Sequence, residues 1–182
     1  MRTKQFSFSE PQISIGILSD THGAIDPAVG ELMRQCDLVI HAGDVMDAAV
    51  LTGIRQHTQA LAVAGNNDRD GVVHRSDPSQ EAVETLPDLI SIELPSGSIV
   101  VEHGHRHGFS QPCHQKLIAS HPDARAIVYG HTHKQLVDKS QTPWILNPGA
   151  AGYTRNYGGP KCLVLHVDSD DWRVDSHVFE GQ

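Results

Sequence analysis

The sequence predicts an α/β sandwich: two mixed β-sheets packed face to face, with helices outside. Three observations predict it. The first half alternates short apolar runs with helical stripes in β-α-β-α-β order, which calls for a mostly parallel section. The second half is rich in short alternating runs separated by turns, which calls for antiparallel additions. Finally, 182 residues suffice to bury roughly two thirds of the unfolded surface. A single domain over 1–182 is therefore expected, with 1–11 as a flexible N-terminal extension.

The elements follow in chain order. Ile13-Ser14-Ile15-Gly16-Ile17-Leu18 reads as a buried strand that breaks into Ser19-Asp20-Thr21-His22-Gly23. Asp26-Pro27 has the form of an N-cap followed by proline in the first helical position, and Val29, Leu32 and Met33 continue a helical stripe toward Cys36. Asp37 to Ile40 is a second strand, running into His41-Ala42-Gly43-Asp44. A helix over about Asp47 to Gln56 and a third strand, Leu61 to Ala64, lead to Gly65-Asn66-Asn67-Asp68. Asp70 to Pro87 shows no clean period and is read as a surface excursion with a short helix.

Leu89 to Leu94 and Ile99 to Val101 alternate across Pro95-Ser96-Gly97-Ser98, predicting a hairpin with a four-residue turn. Its second arm leads into Glu102-His103-Gly104-His105. A helix around His114 to Ser120 precedes the strand Ala126 to Tyr129, which ends at Gly130-His131-Thr132-His133. Short strands at Gln135 to Asp138, Trp144 to Leu146, Lys161 to Val167 and Trp172 to Phe179 complete the chain.

Composition excludes several function classes. Fourteen Lys+Arg against 22 Asp+Glu give a formal charge of -8, which disfavours nucleic acid and anionic membranes as partners. No apolar stretch is long enough for a membrane span. Three scattered cysteines, Cys36, Cys113 and Cys162, suggest neither a disulfide framework nor a thiolate zinc site. With no export signal visible before Pro11, a cytoplasmic protein is expected. The unusual count is histidine, at 13.

Five strand ends present Asp20 and His22, Asp44, Asn66, His103, and the pair His131 and His133. In open α/β sheets functional groups gather at strand ends, so these seven side chains can converge. Each fragment alone has an ordinary reading: Asp20 as a helix cap, Asn66 as a turn residue. Two imidazoles straddling one small residue after a buried strand are harder to place without partners. Two carboxylates, one amide oxygen and four imidazoles suit Mn, Fe, Zn or Ni. Seven ligands exceed one tetrahedral site and suit two ions if one carboxylate bridges.

The order D-x-H, G-D, G-N, a lone His before Gly, and G-H-x-H resembles the calcineurin-like metallophosphoesterases, over about residues 12 to 167. The His41-Ala42-Gly43-Asp44 form, the Asn147-Pro148-Gly149-Ala150 segment and the small size are similar to the YfcE-like prokaryotic phosphodiesterase branch, which lacks cap domains. The resemblance implies a metallophosphoesterase-like αββα fold and two divalent ions, foremost manganese. It implies one ion on Asp20, His22, Asp44 and His133, and another on Asp44, Asn66, His103 and His131, with Asp44 bridging. Hydrolysis of a small phosphodiester by in-line attack of a metal-bridging hydroxide is the implied reaction. A homo-oligomer is compatible with this branch.

The chain departs from the wider family at Asn67, where a histidine usually protonates the leaving oxygen. His105 is the candidate substitute acid, with a supporting or solvent-facing role as its alternative. Asn67 and Arg155 are candidate substrate contacts; Arg155 could instead pair with a carboxylate. Asn147 is expected to support the metal loops and His41 to lie behind the ligands. His107 and His114 share the polar neighbourhood, while His57, His74, His121, His166 and His177 read as ordinary surface or core residues. Two other functions stay in view: a phosphomonoesterase of the same fold, and a protein-binding scaffold like the retromer subunit that shares it.

Overall fold

The computed structural model describes residues 1–69, 81–108 and 110–181. Among these residues eleven strands form two sheets: β1 (Thr3–Ser7), β2 (Gln12–Leu18), β3 (Leu38–His41), β4 (Gln59–Ala62), β5 (Leu89–Leu94), β6 (Gly97–Glu102), β7 (Ala126–Val128), β8 (Leu136–Asp138), β9 (Trp144–Asn147), β10 (Lys161–Asp168) and β11 (Trp172–Val178). The helices are α1 (Pro27–Met33), α2 (Ala48–Arg55), α3 (Glu81–Glu84) and α4 (His114–Ser120). One sheet has the order β1-β5-β6-β7-β9-β8 and the other β11-β10-β2-β3-β4. Strands β2, β3 and β4 run parallel, as do β6, β7 and β9, while β10 pairs antiparallel with β2 and β11, and β5 antiparallel with β6.

Period-two alternation decides the layers. Ile13, Ile15 and Ile17 of β2 face Ile90, Ile92, Ile99 and Val101 of the other sheet in a common buried core. The opposite face of β2 and its neighbours, with Val39, Ala60, Ala62 and Val164, packs on Val29 and Met33 of α1 and Leu51 and Ile54 of α2. On the far side, Leu117 of α4 covers Val100, Ile127 and Ile145. The result is the four-layer αββα arrangement expected. Among the described residues no helix is long and apolar enough to cross a membrane.

Local cap chemistry holds where it was read. Asp26 accepts from the Ala28 N–H at 2.9 Å with Pro27 inside the first turn, and Asp47 accepts from the Ala49 N–H at 2.8 Å. Four details differ. The N-terminal segment does not all lie outside the domain: Thr3–Ser7 adds a parallel edge strand on β5, and Phe6 and Phe8, two residues apart, pack against the core. The hairpin turn is two residues long, since Leu94 pairs with Gly97 and Ser96 takes φ 64°. The helix read toward Cys36 stops at Met33. Strand β4 ends at Ala62, because Ala64 donates to Pro87 outside the ladder. Helix α3 falls in the excursion read over 70–87, whereas the part of it up to residue 80, with His74, lies outside the described residues.

Candidate metal centre

The carboxyl ends of β2, β3 and β4 in one sheet meet those of β6 and β7 in the other, bringing all five motif fragments together. Their backbones are unusual. Asp20, His22, Asp44, His131 and His133 all have positive φ, between 46° and 68°. Such conformations cost of order 1–3 kcal/mol each and persist where surrounding structure holds them. The glycines of the motifs allow close approach: a Cβ on Gly65 would lie 2.0 Å from Asp44 Oδ1, and one on Gly130 would lie 1.9 Å from Ser19 Oγ.

The ligand atoms converge. Asp20, His22 and His133 present atoms within 4.8 Å of one another, as do Asp20, Asp44 and His103. His133 Nε2 lies 3.3 Å from Asp20 Oδ1 and 3.1 Å from His22 Nε2. Asp44 Oδ2 stands 3.8 Å from His22 Nε2 and 3.4 Å from His103 Nε2, so it faces both histidine sets. The His131 ring lies 5.2 Å from that of His103.

Hydrogen bonds to the backbone orient the donors. His103 Nδ1 bonds to the Ala42 carbonyl at 2.8 Å and His133 Nδ1 to the Thr154 carbonyl at 2.9 Å, which turns each Nε2 lone pair into the cluster. Asp20 Oδ2 accepts from Ser19 Oγ at 2.7 Å and from the His131 N–H at 3.0 Å. That leaves Asp20 Oδ1 facing the cluster. Burial alone would raise Asp20, but the adjacent His133 ring and the charge of His103 outweigh it and hold the carboxyl below its ordinary value. Burial likewise opposes charge on His103, yet Asp44 and Asp20 overcome it and push the ring up to about 9. Asp44 is held far below the carboxylate range: burial would raise it, and His103 and Asn67 prevail.

Three of the candidate ligand atoms, Asp20 Oδ1, Asn66 Oδ1 and His103 Nε2, are buried with no hydrogen-bond partner among the described residues. Leaving such groups unpaired costs about 1–3 kcal/mol each. Oxygen and imidazole donors orphaned together, in a set with no sulfur, fit first-row divalent ions.

Residues 13–170 match the calcineurin-like phosphoesterase superfamily domain. The chain belongs to that superfamily. It is 27% identical over 170 residues to a probable metallophosphoesterase of Methanothermobacter thermautotrophicus, covering 91% of each chain. Among solved structures it is similar to an archaeal phosphodiesterase (23% identity, 91% of this chain and 100% of that one, TM-score 0.62) and to the phosphoesterase YfcE of E. coli (18%, 91% and 99%, 0.60). It is also similar to Vps29 of Entamoeba histolytica in complex with zinc (16%, 92% and 100%, 0.69). The superfamily is metal-dependent, and the donors assembled here are of the kind it needs.

The other sequence candidates sit around this cluster. Asn67 binds Asp44 twice, through its N–H to Oδ1 at 3.0 Å and Nδ2 to Oδ2 at 2.7 Å. Arg155 Nη2 lies 3.1 Å from His133 Nε2 and makes no carboxylate pair among the described residues. His105 begins a short helical turn, lines the same cleft, and has a buried, unpartnered Nδ1. Burial, then the charges of His103 and Arg106, push its ring down to about 4. At neutral pH it is a neutral imidazole. His41 is fully buried behind the ligands, taking the Gly43 N–H on Nδ1 and bonding Thr21 through Nε2. Asn147 donates to the Gly130 carbonyl at 2.8 Å and reaches Thr132, holding the His131 loop.

Supporting residues that sequence reasoning passed over complete the site. Buried Asp68 accepts from the N–H groups of Val45, Met46 and Gly65, sewing two ligand loops together. Buried Glu102, beside His103, bonds His107 at 3.0 Å and His121 at 2.9 Å, so His121, read as an ordinary surface or core residue, is tied to the same polar neighbourhood as His107. His114 bonds the Tyr129 hydroxyl at 2.9 Å. For Asp68 the signal was its place three residues after Gly65; for Glu102 no local pattern pointed to partners 5 and 19 residues away.

Proposed function

We propose that this chain is a dinuclear metal-dependent phosphodiesterase acting on a small substrate. The observation that carries this reading is Asp44 Oδ2 facing His22 Nε2 and His103 Nε2 together, at 3.8 and 3.4 Å, in a cluster of orphaned buried donors. Asp20, His22, Asp44 and His133 would hold one ion, and Asp44, Asn66, His103 and His131 the other. Asp20 also faces both histidine sets, and the family pattern favours Asp44 as the bridge. Manganese is the preferred metal, with iron, nickel or zinc as alternatives. Bound ions would supply Lewis acidity, activating water and neutralising phosphoryl charge.

The chain's own groups do the rest. Asp20 and Asp44 contribute only two negative charges, so the loaded site attracts an anionic ester despite the acidic protein. The cluster opens into a cleft of about 980 Å³ lined by Asn67, His105, His131, Lys134 and Arg155 among others. Arg155, beside His133, would steady a phosphoryl oxygen. His105 lines the cleft and would protonate a leaving alkoxide only from its imidazolium form, which its lowered pKa of about 4 makes scarce at neutral pH. The archaeal neighbour of this fold named as a phosphodiesterase supports diesters over monoesters. Cysteines left as free thiols, with Cys113 exposed, suit a reducing cytoplasm.

Zinc in the Vps29 neighbour means that metal binding alone does not separate an enzyme from a scaffold. Turnover does. Metal-stripped protein should be assayed against phosphomonoesters and phosphodiesters with Mn, Ni, Zn, Mg and Fe added separately. Metal-dependent diester hydrolysis is expected. Monoester preference would shift the reading to a phosphomonoesterase using Arg155, and metal binding without any turnover would favour the scaffold.

A further inference from the structure

We infer that the cleft takes a phosphodiester carrying a planar ring close to the scissile phosphate, and that Tyr157 is the platform on which this ring stacks. The inference rests on the phosphodiesterase reading and names its substrate class. Tyr157 lines the cleft shared by Asp44, Asn66 and His131, yet its side chain is largely in solvent, at 60% exposure. Its ring meets no other aromatic ring and no cation among the described residues. An unpartnered aromatic face opening onto a phosphate site is the chemistry that binds bases and aryl groups by stacking.

The loop that presents it is held from both sides. Tyr157 has φ 37° and Arg155 φ 52°, conformations that bulky side chains rarely adopt. Lys161, only 8% exposed, donates its ammonium to the carbonyls of Asn156, Tyr157 and Gly159, the latter two at 2.8 Å. Upstream, His133 Nδ1 holds the Thr154 carbonyl at 2.9 Å. A buried cation and a candidate metal ligand thus fix the strained segment between them.

Distance fits the substrate. Arg155 touches His133 Nε2, and Tyr157 is two residues further, so their backbones are at most about 7 Å apart. A ring joined to phosphorus through an ester oxygen or a sugar spans that interval. The cleft volume, about 980 Å³, is at the upper end for small-molecule sites and exceeds what the phosphoryl group alone requires.

Calorimetry on manganese-loaded protein tests this with two pairs of probes: phenyl against methyl phosphate, and thymidine 5′-monophosphate against 2-deoxyribose 5-phosphate. Wild type should bind the ring-bearing member of at least one pair roughly tenfold more tightly, within the range base stacking contributes. A gain in both pairs identifies any planar ring as the ligand, and a gain confined to thymidine identifies a nucleoside. Tyr157→Ala should collapse the ratio to near one, and Tyr157→Phe should retain it. Equal binding within both pairs in wild type, or a ratio surviving in Tyr157→Ala, overturns the inference. Release of p-nitrophenolate from p-nitrophenyl methyl phosphate by the wild type reports on the phosphodiesterase reading itself, whatever the binding ratios of the two probe pairs.

Discussion

The amide of Asn67 donates to Asp44 Oδ2 at 2.7 Å while its own N–H donates to Oδ1 at 3.0 Å, so one residue grips both oxygens of the candidate bridging carboxylate. Where the wider family places an acid, this chain places a clamp. Side chains that orient metal ligands typically cost 10–100-fold in affinity or activity when removed. Asn67→Ala should therefore weaken manganese binding by about that factor in a titration of metal-stripped protein. An unchanged binding isotherm would remove Asn67 from the metal-supporting role.

Sharing has a signature of its own. Asp44→Ala should abolish diesterase activity and lose both ions, because Asp44 Oδ2 faces both histidine sets. Asn66→Ala should weaken chiefly one ion. Metal analysis finding a full second ion in Asp44→Ala would contradict the bridge.

His105 carries the prediction about proton supply. If it protonates the leaving oxygen, His105→Ala should slow alkyl diesters about 10²–10⁴-fold and nitrophenyl diesters far less, since nitrophenolate needs no proton. Equal losses on both would place His105 in support of His103, whose ring lies 5.5 Å away. No loss on either would leave it without a catalytic role.

Acid sensitivity should be traceable to His41. Burial, only partly offset by Asp20, lowers its pKa from 6.5 to about 4. Between those values the unfolded chain takes a proton that the folded chain refuses, so stability is intact above pH 6.5 and falls as pH drops toward 4. The full effect is of order 3 kcal/mol, at 1.36 kcal/mol per unit. Denaturant melts of wild type and His41→Gln across that window should show a shallower fall in the variant. Parallel curves would assign the acid sensitivity elsewhere.

Much of the fold was legible because its signals are local. Apolar period-two runs such as Ile13-Ser14-Ile15-Gly16-Ile17 marked the strands, and Asp26-Pro27 marked a helix start through cap chemistry that acts within four residues. The candidate ligands were legible for a related reason. Each stands just after a strand, next to a small residue that lets backbones approach, so Asp44, Asn66, His103, His131 and His133 could be named without knowing which strands adjoin.

What only the tertiary structure decided are contacts made across long sequence separations. Neither Thr3–Ser7 nor its partner β5 carries a mark of the pairing between them, 86 residues apart, because backbone hydrogen bonds are the same for every sequence. Asn67, expected as a substrate contact and lining the cleft, also grips Asp44, because the β3 and β4 loops lie side by side with Asp68 binding both. Lys161 reads locally as the first residue of a strand, and only folding tucks its ammonium under the loop that carries Arg155 and Tyr157. Local pattern specifies which elements form and which side chains stand at their ends; the packing of two sheets specifies which of those ends meet, and that is a property of the whole chain.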